Sequence, residues 1–429
     1  MGQANLRYIG RELTLEDART LFLSARNAEC LGALGTNPTP HAAFLRSRAH
    51  LRLGEPRRAV DALIGIEVAD LDQTEQAEYH ILCGATLSRS GDRAKSRSHF
   101  GTALRLTETV GGAAAAELHF YLGLAAWSDR DLDAATEHAG RAARQPTIVG
   151  DPYSRPHALT RSVALDLLGL VAASRENYVM QAALEREALR AYDGSPEKDF
   201  WFEAAFVRNL APLVWDLGLE DEVNILWAHE HGAPWTPETA IHRWTVIRAL
   251  GWNCALHGDK LGAFSRFLDC VEIAPTACAR IESMLDRAYL AAEVGQTVIW
   301  KEEMFRASRL AKSVNWDSIV GEEAKALLSL AAAFSREDAP IARHWLSRFD
   351  RARAIPKRTL SLAADDRRQT AMELDAEGTV LRAEGREAEA LAAWRSALSI
   401  WDALEHGWRA ARTALEIAGT TKSQEDIAT

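Results

Sequence analysis

The feature that most constrains this chain is a two-helix pattern recurring at intervals near 40 residues, shown most fully at residues 244–275 (WTVIRALGWNCALHGDKLGAFSRFLDCVEIAP). Gly251 lies mid-helix, where the missing side chain lets a partner helix come close. Seven residues on, Gly258 can take the positive φ that ends the first helix. Ala263, Phe267 and Cys270 follow, the last two on one helical face. Pro275 closes the unit, where a helix does not easily continue.

The same register recurs along the chain. Turn positions fall at Gly54, Gly91, Arg130, Glu176, Gly218, Gly258, Gly295, Glu337 and Gly385. Gly378, Gly385, Ala390, Trp394 and Ala397 repeat the central unit position for position. Gly84, Gly91, Phe100 and Ala103 do so with Ser96 in the alanine position. Gly123, Ala135, Ala139 and Ala142 fit around Arg130, and Ser47, Gly54, Ala59 and Leu63 fit without the final small residue. Gly169 and Ala188 fit, although Gln181 and Glu185 occupy positions expected to be apolar. The units turning at Gly218, Gly295 and Glu337 are degenerate: Val223 and Trp300 stand where alanine is expected, and Leu330 stands for glycine.

This register resembles the tetratricopeptide repeat (TPR), a helix pair that cannot bury its apolar face alone and stacks on its neighbours. The resemblance implies an all-α, right-handed TPR-like solenoid of about nine helix pairs. The expected division is an N-terminal cap helix in 1–36, helix-pair repeats in 37–405, a closing cap helix in 406–418 and a flexible polar tail in 419–429. Within the first segment, Thr14 as N-cap and Asp17 as capping-box partner predict one opening helix over 14–34. Alternating β-branched runs bounded by turns are absent, so no strand pattern competes.

Hydrophobic content of 47% with 26% charged residues is that of a folded protein, and the formal net charge of −10 weighs against nucleic-acid or anionic-lipid partners. No run of 18 apolar residues and no signal-peptide core occurs, so a cytoplasmic chain with no membrane contact is expected. Five cysteines without CxxC spacing indicate neither a disulfide framework nor a zinc site. His229-Glu230-His231 places its histidines at i and i+2, on different sides of a helix, unlike the HExxH of zinc hydrolases. With no GxSxG, P-loop or GxGxxG motif, the expectation is a non-enzymatic protein without cofactor or metal.

Two stretches stand out as candidate binding surfaces. Six tryptophans fall between 201 and 252, and most of these rings are expected to pack between neighbouring units. Counting back from the turn glycines puts Arg208, Asn209 and Trp215 on one first helix and Arg248 and Trp252 on the next. First helices line the inner face of such stacks. The five residues are therefore the expected groove for a protein or peptide, and the TPR resemblance sets Asn209 where peptide-clamping repeats carry their asparagine. The stretch 343–358 carries Arg343, Arg348, Arg351, Arg353, Lys357 and Arg358 against Asp350. It is expected either as a helix end complementing its own dipole or as a dock for an acidic partner or nucleic-acid phosphate.

The last unit, AAWRSALSIWDALEHGWRAARTALEIAG, resembles the final repeat of the TPR sensor region in LuxR/MalT-type bacterial transcription activators, with no DNA-binding or ATPase module in this sequence. The resemblance implies regulatory or scaffolding ancestry. The function expected is a protein–protein adaptor reading a partner in its groove. A small-molecule effector sensor and a structural subunit of a larger assembly are the alternatives, and homodimerisation through a terminal unit is a separate expectation, because an exposed end must be capped or paired.

Overall fold

Thr14 opens the first helix as anticipated: its hydroxyl accepts from the Asp17 amide while the Asp17 carboxylate accepts from the Thr14 amide. In the computed structural model, residues 13–110, 112–144, 157–319, 321–354 and 367–428 are described, and among them the chain is helical throughout, with no strand. The early helices are α1 (Leu15–Leu23), α2 (Asn27–Leu34), α3 (Pro40–Arg52), α4 (Pro56–Asp61), α5 (Gln73–Ser90), α6 (Arg93–Val110), α7 (Gly112–Ser128) and α8 (Leu132–Arg144). Next come α9 (His157–Ser174), α10 (Tyr178–Asp193), α11 (Phe200–Asp216), α12 (Glu220–Gly232), α13 (Ala240–Leu256), α14 (Lys260–Ile273), α15 (Ala277–Glu293) and α16 (Thr297–Ser313). The series ends with α17 (Ala326–Phe334), α18 (Ala339–Ala354), α19 (Arg367–Ala383), α20 (Glu387–Ala403) and α21 (Gly407–Ala428). The chain is thus an all-α, TPR-like array of helix pairs.

The turns obey the register. Gly54, Gly91, Arg130, Glu176, Gly218, Gly258, Gly295 and Gly385 all have positive φ, between 58° and 91°. Glu337 does not. There α17 ends on Ser335 at φ −57°, and the Asp338 amide returns to the Phe334 carbonyl at 2.9 Å, a right-handed turn that needs no left-handed residue. The mid-helix glycines serve the close approach inferred for them. A Cβ on Gly251 would stand 2.7 Å from Phe267 Cε1, one on Gly84 2.5 Å from the Phe100 ring, and one on Gly378 2.6 Å from Trp394 Nε1.

The opening helix is a correction. Ala25 takes φ 55° and divides residues 14–34 into α1 and α2. The start of α2 is held from far along the sequence. Glu238 accepts from the Asn27 amide (2.8 Å), the Asn27 Nδ2 (2.7 Å) and the Ala28 amide (2.8 Å). A carboxylate satisfying orphan amides at a helix start is favourable, but no local signal announces a cap supplied by residue 238. At the other end, α21 runs on through the residues expected as a polar tail from Gly419. The Pro- and Gly-containing loop 145–156 lies outside the described residues.

Contacts gather the chain into two units. The first comprises residues up to Val171 with Ala183–Phe206 and Pro234–Thr239, and the second comprises Ala172–Ala182, Val207–Ala233 and residues from Ala240 on. In the first, α1/α2, α3/α4, α5/α6 and α7/α8 pack as consecutive pairs around Phe44, Ile81, Leu82, Phe100 and Leu118. In the second, α13/α14, α15/α16, α17/α18 and α19/α20 do the same, and α21 packs on α20. Leu330, in a glycine position, is fully buried beside Trp316 and Trp345 in that core. Gln181 and Glu185 are buried as well, so these positions are interior although their side chains are polar. All five cysteines are free and buried, and burial pushes the thiols of Cys30 and Cys278 up to about 12. No helix among the described residues is long and apolar enough to cross a membrane.

Helical glycines with and without a partner ring separate two effects. Gly101 in α6 has nothing within 4 Å of an added Cβ. Gly101→Ala should therefore stabilise by up to ~1 kcal/mol through helix propensity. Gly251→Ala meets Phe267 and should destabilise by about 1–3 kcal/mol through overpacking. Urea unfolding of the two variants checks the opposite signs.

Candidate functional site

First helices of the second unit converge on one cleft of about 180 Å³. Trp252 comes from α13, Asp286 and Tyr289 from α15, Ser329 from α17, Asp375 and Arg382 from α19, and Arg409, Arg412 and Glu416 from α21. Trp300 and Met304 of α16 and Trp394 of α20 complete the wall, and Arg336 follows α17. The lining is aromatic and cationic, with four arginines against three carboxylates. The first unit holds a smaller cleft of about 80 Å³ whose charges are matched internally: Arg48 joins Glu78 and Glu117, Arg19 joins Glu197, and Arg52 joins Asp199.

The aromatic wall rests on a tryptophan cluster. Trp215 and Trp252 stack with centroids 5.7 Å apart at 10°, and Trp408 meets Trp215 edge-on at 4.9 Å. Beneath it lies Asp216, fully buried. Its oxygens accept from Arg368 Nη2 at 2.8 Å and Arg409 Nε at 2.9 Å. Burial would push this carboxyl up, but Arg409 and Arg368 hold it below the ordinary carboxylate range. His406 Nδ1 stands 3.5 Å away, too far to hydrogen-bond, and the ring lies between Trp401 and Tyr178. Burial pushes this histidine down to about 4 against the pull of Asp216. Asp375, in the cleft wall, accepts from Trp401 Nε1 (2.8 Å) and the Thr413 hydroxyl (2.7 Å), and burial raises its carboxyl.

Of the five groove residues expected from sequence, Trp252 lines the cleft, and Trp215 backs it by stacking on Trp252. Arg208 is exposed and Asn209 half-buried on α11, and neither lines the cleft. Arg208 stands near His242 and helps hold that buried ring neutral, behind the larger effect of burial. Arg248 is already engaged: its Nε meets Asp286 at 2.5 Å, its Nη1 meets Glu282, and its guanidinium lies over Trp244. It can turn to a ligand only by releasing those carboxylates. In the basic stretch, Arg343 is bridged to Glu377 and Glu384 at 2.7–2.9 Å, which ties α18 to α19. Arg348 and Arg351 reach no carboxylate among the described residues. Lys357 and Arg358, and the side chain of Arg353, lie outside the described residues.

Tyr289, Arg382, Arg409 and Arg412 escaped the sequence reading because their neighbours are distant in the chain. Trp300 carried a signal, a large ring in an alanine position. His231 stacks on Trp227, and among the described residues no three His, Cys, Asp or Glu side chains gather as metal ligands.

No family model and no curated protein matches the chain. Solved structures resemble it at low identity. The apo form of the quorum sensor NprR from B. thuringiensis is 11% identical over 88% of this chain and 96% of its own, with a TM-score of 0.49. The apo form of RapI is 9% identical over 90% and 98%, with a TM-score of 0.45. Yeast Tom70 is 10% identical over 96% and 95%, with a TM-score of 0.41.

Asp216→Asn leaves the Arg368 and Arg409 guanidiniums without their shared carboxylate and should cost about 3–5 kcal/mol, read as a lowered urea midpoint. A second outcome concerns pH. His406 titrates at about 4 and His242 at about 3 in the folded chain, against ~6.5 unfolded. Between those values only the unfolded state takes up the protons, so stability is lost as pH falls from about 6.5 toward 4. The slope is at most ~1.4 kcal/mol per pH unit for each ring. Asp216 adds little in that window, since most of its loss falls below ~3.9. Stability that stays flat between pH 7 and 5 would contradict the neutral buried histidines.

Proposed function

We propose that this chain is a non-catalytic binding protein that takes a peptide or extended protein segment in the cleft of its second unit. The observation that carries this reading is the lining itself. Rings of Trp252, Tyr289, Trp300 and Trp394 stand beside guanidiniums from α19 and α21 in one concavity. Aromatic and arginine side chains are the anchors that dominate binding energy, since each offers a large apolar face with a polar edge. A concave site built from successive first helices suits an extended ligand that touches several repeats. The setting inferred from the last repeat is a regulatory or multiprotein system.

The test is selection of a random peptide display library on the immobilised full chain. Enriched peptides should lose at least about tenfold in affinity on Tyr289→Ala or Trp300→Ala, as for anchors costing ~1.4 kcal/mol or more. Circular dichroism and unfolding midpoints confirm that the variants stay folded. Enriched peptides that bind both variants as well as the parent chain would place binding elsewhere.

A specific observation favours a second reading, the assembly subunit. Leu261 (84% exposed) and Leu268 (37%) on α14, and Val298 (79%) and Phe305 (68%) on α16, stand bare. The two pairs occupy equivalent positions of consecutive units, and within each helix the seven-residue step keeps both on one face. Exposed apolar groups that repeat in this way mark a contact surface. Sedimentation of the parent chain and of Leu261→Glu/Phe305→Glu tests it: self-association through this face predicts a dimer that the double variant reduces to monomer. A parent chain monomeric at tens of micromolar would exclude a second copy there.

A further inference from the structure

The charges around the cleft can be assigned one by one. Arg409 is engaged with Asp216, Arg382 with Glu416 at 2.6 Å, and Arg336 with Glu293 at 3.5 Å. Of the lining carboxylates, Glu416 is answered by Arg382, Asp286 by Arg248, and Asp375 by the Trp401 indole and the Thr413 hydroxyl. Arg412 is left over. It pairs with no carboxylate among the described residues and meets Asp375 only through space. Its half-buried guanidinium lies 4.9 Å from the Tyr289 ring centroid and 5.7 Å from that of Trp408.

A guanidinium held against two rings is oriented before any ligand arrives, so pairing costs it little rotamer freedom, and its edge still presents the fork that matches a carboxylate. Beside it is a second unused donor. Trp252 is 6% exposed, and its Nε1 has no acceptor among the described residues. A buried indole N–H without a partner is uncommon.

We propose, building on the cleft reading above, that the peptide recognised here is acidic: an Asp or Glu side chain pairs with Arg412 while an adjacent apolar side chain packs on Tyr289 and Trp300. A peptide fits better than a nucleic acid. The chain carries a net charge of −10, which repels a polyanion at long range. One open guanidinium among paired ones suits a single carboxylate within an apolar segment.

The experiment extends the display selection to the full chain, Arg412→Gln and the control Arg97→Gln, an exposed arginine of the first unit that does not line the cleft. Acidic residues should be over-represented in the pool selected on the parent chain and on Arg97→Gln, and not in the pool selected on Arg412→Gln. The best acidic peptide should lose at least about tenfold in affinity on Arg412→Gln, as expected for a hydrogen bond to a charged group. The same peptide with its acid changed to the amide should lose as much on the parent chain, a readout that does not depend on how well the variant folds. Enriched peptides with no acidic bias that still require Tyr289 would overturn the acidic assignment and leave the cleft reading standing. Enriched peptides indifferent to both Arg412→Gln and Tyr289→Ala, or no enrichment at all, would overturn both. Displacement of the acidic peptide by a thymidine oligonucleotide at lower concentration than by free peptide would overturn the choice of a peptide over a nucleic acid.

Discussion

The contact on which this architecture depends is a ring seated against a bare glycine. Phe100 on Gly84, Phe267 on Gly251 and Trp394 on Gly378 each bring the second helix of a pair onto the middle of the first. Two short helices have marginal stability apart, and this approach lets them bury a joint apolar face. The joint face is too small to be stable alone, so the pair stacks on the next one. Stability is therefore spread along the array, and local irregularities such as Leu330 in a glycine position are absorbed by adjacent packing.

A second constraint operates within the second unit and is electrostatic. Asp216, at the end of α11, collects guanidiniums from α19 and α21, residues that enter the sequence 152 and 193 positions later. A buried carboxylate with two cationic partners is weak evidence for net stability, but it penalises any arrangement that separates them. The same contact carries Trp408 onto Trp215 and Trp252. Arg409 and Arg412 then reach the cleft wall as consequences of that pairing. The polar network beneath the cleft and the aromatic lining above it are thus one construction.

The cleft reading and the exposed faces of α14 and α16 draw on different sides of the repeat. First helices, joined by Trp300 and Trp394 of second helices, bring aromatic and cationic groups to the cleft, and elsewhere on α14 and α16 leucine, valine and phenylalanine stand in water. A helical-repeat protein can use both surfaces, because each repeat contributes one residue at a time to either. The engaged state of Arg248 shows why residue type alone misleads. Residue type does not tell which arginines the fold already pairs, and Glu282 and Asp286 already engage this one.

What the sequence determined by itself was the repeat: the helix pairs, eight of nine turns, the close-approach glycines and the Thr14 cap. Each of these depends on residues within one unit of chain, where glycine conformational freedom, helical periodicity and capping are local properties. Tertiary structure alone decided which charges remain open and which rings share a wall. The cap on α2 comes from Glu238, the partners of buried Asp216 are Arg368 and Arg409, and the cleft is drawn from α13, α15, α19 and α21. Those partners lie 34 or more residues apart, and their pairing follows from small rotations between stacked units that no local pattern encodes.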